Sequence, residues 1–301
     1  MELPLVVGVD GSEGSMQAVD WAAAEAERSG LPLRLVHASL WEHYEGVRPG
    51  LAADRPSEQI RAENLVATAE ERANRLAADV KVSTDIQPED PVTVLLREAR
   101  EATLLVLGPR GHGPVASMLL GSVSLAVAAR ARCPVTVVRG EEPNRRAAHR
   151  RVVLGIGGPA SSADATRFAF REARWRDCEL VAVRAWRRPA RKNLPHPPAP
   201  LVDGGRAAHA DDRAREYRQQ ADAYMDQALA VVDDEYPDVV LRRRLMEGTA
   251  RRALLDATAS ADLLVLGAKR RRPALGLRLS RVQHAMLHHA ACPVAVVPAT
   301  D

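Results

Sequence analysis

The sequence predicts an α/β protein built of two tandem domains, each holding a five-stranded parallel sheet. Three observations carry this. At 301 residues the chain is about twice the usual domain size of roughly 150 residues. Its second half repeats the first: ATLLVLG at 102–108 returns as ADLLVLG at 261–267, and RCPVTVV at 132–138 returns as ACPVAVV at 291–297, both 159 residues on. The apolar runs are short and nearly continuous, which suits strands buried on both faces and joined by right-handed βαβ crossovers.

Taken in order, Leu3 to Val9 is a β-branched apolar run ending at Asp10-Gly11-Ser12, and an alanine-rich amphipathic stretch follows it through Arg28. That is a strand, a turn and a helix. Leu31 to Ala38 reads as the second strand, and a long polar connection leads to a helix from about Ser57 to Ala78. Val80 to Ile86 is the third strand, Pro91 to Ala102 a helix, and Thr103 to Gly108 the fourth strand. Ser122 to Ala131 is the last helix of the half and Pro134 to Arg139 its fifth strand. The second half starts with VLGIGGPASS at 153–162, which matches VVGVDGSEGS at 6–15 only 147 residues on, so it carries 12 extra residues in its middle. The insertion is placed at 187–200, where five prolines cannot continue a helix or a central strand. Residues 1–140 and 150–301 are the two expected domains, and GEEPNRRAAHR at 140–150 reads as a polar link.

Composition sets the class. With 46% hydrophobic, 27% charged and only 3% aromatic residues, the chain resembles a soluble globular protein whose core rests on Ala, Val and Leu. Lys plus Arg number 42 against 39 for Asp plus Glu, too even a balance to argue for nucleic acid or a membrane surface. Three cysteines, Cys133, Cys178 and Cys292, are too few and scattered for a disulfide framework or a zinc cluster. No leader and no apolar run of about 18 residues is found. A cytoplasmic location is expected.

The most informative segment runs from Gly108 through Gly111 to Gly121-Ser122-Val123-Ser124, between a buried strand and a helix. Glycine at the strand end permits the turn, and Gly111 would let backbone N–H groups face a ligand. Gly121-Ser122 opens a helix whose first amides lack partners, and with the helix dipole these favour an anion such as phosphate. This spacing resembles the ATP-binding pattern of the universal stress protein family, and VGVDGS at the start and CPV before the last strand resemble its borders. The resemblance covers both halves. It implies the adenine nucleotide α-hydrolase-like fold with strand order 3-2-1-4-5, so that a ligand binds where strands 1 and 4 diverge.

By the same resemblance ATP, with Mg2+, is the expected cofactor. Asp10 would lie near the ribose and the metal-bound phosphates, the backbone at Ala38 near the adenine, and Gly108, Gly111, Gly121, Ser122 and Ser124 along the phosphates. Single-domain members dimerise through the last strand. Here that implies an intrachain pairing of Pro134–Arg139 with Pro293–Val297, which also covers two apolar sheet edges; a homodimer of the whole chain is left open.

The second copy of the loop keeps Gly267 but has Arg270 for the second glycine, Ser280-Arg281 for the Gly-Ser pair, and Gly157 in the place of Asp10. ATP is expected in the first half only, and an arginine-lined site for another anion in the second stays open. Lys269 to Arg272 reads as a solvated loop rather than a nucleic-acid patch. His284 and His288 have a helical metal-pair spacing, but no acidic residue accompanies them and no third ligand can be identified, so a packing or surface role is expected. Cys133 and Cys292 read as small buried residues before a strand. The family implies a regulatory role in stress or dormancy. No enzyme motif of the SGGxDS or HIGH type is present; slow metal-dependent ATP hydrolysis and a scaffold that binds no nucleotide remain as alternatives.

Overall fold

The computed structural model describes residues 3–38, 57–109, 120–158, 163–187, 203–232, 235–269 and 279–299. The first half contains β1 (Leu5–Gly8), α1 (Glu13–Ser29), β2 (Leu33–Ala38), α2 (Ser57–Leu76), β3 (Val82–Gln87), α3 (Pro91–Glu98), β4 (Leu104–Leu107), α4 (Ser122–Ala128) and β5 (Val135–Val137). A short helix, α5 (Glu142–Arg145), leads to β6 (Arg151–Gly155), α6 (Ala163–Trp175), β7 (Glu179–Trp186), α7 (Asp203–Leu229), β8 (Leu241–Glu247), α8 (Ala250–Thr258), β9 (Leu263–Ala268), α9 (Arg281–His289) and β10 (Val294–Pro298).

Successive residues of a strand point to opposite faces, and here both faces are dry. In β1, Leu5 and Val7 enter one apolar cluster and Val6 the other; in β4, Leu104 and Val106 oppose Leu105 and Leu107. The first cluster is closed by α1, α2, α6 and α7, the second by α3, α4, α8 and α9. The result is a helix–sheet–helix sandwich with the strand order β3-β2-β1-β4-β5-β10-β9-β6-β7-β8. Each half is parallel throughout. The expected contact between halves is present: β5 and β10 pair antiparallel, with Val137 opposite Val294, Thr136 opposite Ala295 and Val135 opposite Val296. No bare apolar edge is left at the centre of the sheet.

Several helix ends fall short of the sequence expectation. α3 stops at Glu98 rather than Ala102, because Arg100 and Glu101 donate to the carbonyls three residues back, of Arg97 and Glu98. That tighter turn ends the α-helix while Ala99 and Ala102 stay buried. α4 closes in the same way, Arg130 donating to Val127 O. Residues 140–150 are not merely a polar link. α5 lies within them, its Asn144 is 2% exposed, and Nδ2 donates to Ala261 O at 2.8 Å and Thr258 O at 3.2 Å. Asp262 accepts from the amides of His149 and Arg151 at 2.9 and 2.8 Å. The insertion expected at 187–200 lies outside the described residues apart from Arg187.

Candidate functional site

Strands β1 and β4 are neighbours whose following helices leave to opposite faces, so a cleft opens at their carboxyl ends. After β1 the chain turns at Gly11, φ 79°, and Ser12 caps α1 by accepting from Ser15 N at 3.2 Å. Asp10 is fastened to this turn. Its Oδ1 accepts from Ser12 N at 3.0 Å and Ser12 Oγ at 2.6 Å. The carboxylate is nevertheless exposed, and both bonds land on a single oxygen.

After β4, Gly108 meets the start of α1. A Cβ there would lie 2.6 Å from Gly14 C and 2.8 Å from Ser15 N, so the two strand ends can approach only because residue 108 has no side chain. Ser124, buried on α4, donates its hydroxyl to Gly108 O at 2.7 Å. That bond ties β4 to α4. Gly121 is the N-cap of α4 and makes no side-chain cap bond. Its amide is held by Pro109 O at 2.6 Å, and Ser122 behind it is exposed. Ala38 ends β2, half-buried, beside β1. Asp10, Ala38, Gly108, Gly121, Ser122 and Ser124 thus gather at one end of the sheet; Gly111 lies outside the described residues.

The second half builds the same corner differently. Ser280 stands where Gly121 does and closes a reciprocal cap with Gln283: Ser280 Oγ accepts from Gln283 N at 3.2 Å, and Gln283 Oε1 accepts from Ser280 N at 2.6 Å. Gln283 also takes over the work of Ser124, donating Nε2 to Gly267 O at 2.8 Å. At the end of β7, Arg184 occupies the position of His37. His37 Nδ1 contacts Val9 O at 2.8 Å; Arg184 reaches the equivalent carbonyl, Ile156 O, at 3.3 Å and also bonds Gly157 O. Its guanidinium lies 4.7 Å above the Tyr224 ring. An arginine therefore covers the strand end where the first half presents Asp10. Sequence reasoning missed His37 and Arg184; aligning β2 with β7 residue by residue would have paired them. Arg270, which stands in place of the second glycine of the loop, lies outside the described residues.

The sequence model of the universal stress protein family matches residues 3–139 and again 148–298. The chain belongs to the universal stress protein family. A universal stress protein of Mycobacterium tuberculosis is 34% identical over 303 residues, spanning 97% of this chain and 96% of that one. One from Mycolicibacterium smegmatis is 30% identical over 308 residues, 98% of this chain and 97% of the relative. Among solved structures, a universal stress protein from Archaeoglobus fulgidus superposes with a TM-score of 0.63 at 16% identity, covering 99% of this chain and 98% of that one. That likeness speaks for the fold across both halves.

Within this universal stress protein, no group of three or more His, Cys, Asp or Glu among the described residues could hold a metal by itself. A Mg2+ ion suits the corner only in company with phosphates, since Mg2+ keeps most of its waters and takes one or two carboxylates plus phosphate oxygens. Asp10 offers one such carboxylate. His284 and His288 stack at 4.4 Å between ring centroids. The His288 ring also reaches the loop ahead of α4, where Leu120 N donates to Nδ1 at 3.4 Å. Cys133 and Cys292 are buried and free; burial pushes the Cys133 thiol up to about 12 and Cys292 higher still, which keeps both protonated and unreactive. No helix among the described residues is long and apolar enough to cross a membrane.

Proposed function

We propose that this protein is a cytoplasmic adenine-nucleotide-binding regulator in stress or dormancy physiology, with ATP and its Mg2+ held in the first half alone. The observation that carries the reading is the contrast between the two α4-type helix starts. In the first half the N-cap is a glycine without a side-chain cap bond, next to an exposed serine and an exposed carboxylate. In the second half the same helix start is closed by Ser280 and Gln283, and Arg184 lies over the strand end. An anion gains from amides and a helix dipole only where protein groups have not already satisfied them. Family membership supports a nucleotide phosphate as that anion.

The test is stoichiometry with a point variant. Calorimetric titration of the full chain with Mg-ATP should return one site per chain, and two equivalent sites would overturn the assignment. Gly121→Glu should abolish binding while the thermal unfolding temperature holds, because φ of −70° at this position admits any side chain and the new carboxylate opposes the phosphates. Asp10→Ala should weaken binding without abolishing it. The protein acts by binding rather than turnover: steady-state ATP hydrolysis should stay far below the roughly 1 per second that marks slow enzymes, and a metal-dependent rate above that, lost in Asp10→Ala, would make it an ATPase.

A further inference from the structure

The end of α9 and Leu120, just ahead of α4, meet across the boundary between the halves, and among the described residues the contact runs in one direction only. Leu120 is 8% exposed and directly precedes the N-cap Gly121; its amide donates to Nδ1 of His288 at 3.4 Å. The repeat places Leu279 opposite Leu120, and Ala129 opposite His288. Alanine carries no acceptor, so the first half cannot return the contact to the second half's loop. The half that supplies the imidazole is the half whose own helix start is closed by Ser280 and Gln283. The half that receives it has the uncapped helix start.

α9 is also anchored on the first half by Arg139, at the end of β5, whose Nη1 donates to Leu287 O at 2.7 Å and Met286 O at 3.3 Å. The backbone of α9 just before His288 is thereby held against the end of β5. His284 stacks at 4.4 Å and His289 at 6.0 Å from its centroid, and Nε2 is buried without a partner among the described residues.

We propose that His288 is a positioning residue for the nucleotide site of the other half, holding the backbone that enters α4 through the Leu120 amide. The inference rests on the nucleotide reading above. It gives the second half a role beyond covering a sheet edge: the first half's site is incomplete without it.

Accepting from an amide requires Nδ1 to be unprotonated. Burial comes first in holding the His288 pKa below the ordinary value, and the neighbouring His284, His289 and Arg139 add to it. Protonation turns Nδ1 into a donor and breaks the contact, so the effect has a pH signature that a merely space-filling ring would lack.

The experiment is calorimetric titration with Mg-ATP of the full chain and of His288→Leu and His288→Gln, at about pH 8 and at about pH 5.5. Amide NMR of Leu120 is recorded on the nucleotide-free protein. His288→Leu should weaken binding about five-fold at pH 8, the effect of one lost hydrogen bond. His288→Gln keeps an acceptor and should restore most of the affinity. The wild type should lose affinity relative to His288→Gln as the pH falls below 6.5, and the Leu120 amide signal should titrate over the same range in the wild type only. Wild-type affinity in His288→Leu, or an identical pH profile in His288→Gln, overturns the positioning role and leaves the nucleotide reading standing. A wild-type chain that binds no nucleotide at either pH overturns both.

Discussion

Gly108 and Gly140 are glycines for different physical reasons, and the difference decides what replacing them does. At Gly108 the constraint is a neighbour, the α1 backbone 2.6 Å from any Cβ. At Gly140 it is both conformation and space: φ is +87°, and a Cβ would lie 2.0 Å from Ala291 O. That contact is where the chain leaves β5 and passes under the second half, with Glu141 N donating to Ala291 O at 3.1 Å. Gly140→Ala should therefore cost at least ~3 kcal/mol by chemical denaturation, and a loss under ~1 kcal/mol would show that this approach of the halves is not rigid. The sequence motif points to Gly108 as a ligand residue; what the structure adds is that the α1 backbone leaves no room there for any side chain. Neither of its backbone neighbours in space, Gly14 and Ser15, is identifiable from a loop motif some 90 residues away. The shared task of Ser124 and Gln283, each bonded to a strand-end carbonyl, was equally hidden, because the two side chains look unrelated until the carbonyl they reach is known.

At the scale of elements, the segment that reads in sequence as a polar link folds into a helix with a buried anchor. Its composition is polar, yet the signals of a helix start are there: Glu141 is an N-cap in extended conformation and Pro143 sits in the first turn. What sequence could not show is the destination of Asn144, whose amide caps the carbonyls at the end of α8 more than a hundred residues away. Asn144→Ala removes a buried donor from at least two carbonyls and should lower stability by ~1–3 kcal/mol, read as a shift in the denaturation midpoint at unchanged slope. An unchanged midpoint would mean that water replaces the amide at no cost. Strands and helix cores were legible because both signals are local: apolar runs of a few residues and helical periodicity. Helix ends were not, since buried residues such as Ala99 and Ala102 continue the apolar pattern after the backbone has already turned.

For the whole molecule, the edge pairing of β5 with β10 was foreseeable because a bare apolar edge is itself unstable. The second tie between the halves was not. Glu25 on α1 and Glu172 on α6 occupy equivalent places in the repeat, both are fully buried, and they share one cation. Arg176 Nη1 donates to Glu172 Oε2 at 2.6 Å and to Glu25 Oε1 at 3.2 Å, and Nη2 is paired with Glu25 Oε2. The guanidinium lies 5.5 Å from the Trp21 ring centroid. Its equivalent in the first half is Ser29, so the pseudo-twofold relation brings two carboxylates together around one buried arginine that has no counterpart in the other half. Arg28 and Arg171 assist from the rim, 3.3 Å from Glu25 and 3.8 Å from Glu172.

Burial, and then the charge of Glu25, push the Glu172 carboxyl up to about 8. The folded chain thus binds this proton more tightly than the unfolded chain, where the group titrates near its ordinary value of 4.5. The stability it contributes is complete below about pH 4.5 and is lost as the pH rises towards 8. Glu172→Gln keeps the shape and hydrogen-bonding capacity of the protonated acid and has nothing to titrate. The wild type should match this variant at about pH 5 and fall below it by on the order of 3 kcal/mol at about pH 9, measured as the difference between the two denaturation curves at each pH. Arg176→Met should be less stable than both, because it takes from the two buried carboxyl groups the cation they share. If the difference between wild type and Glu172→Gln were instead the same at pH 9 as at pH 5, Glu172 would not be holding a proton in the folded chain across that range, and the raised affinity for it would be absent.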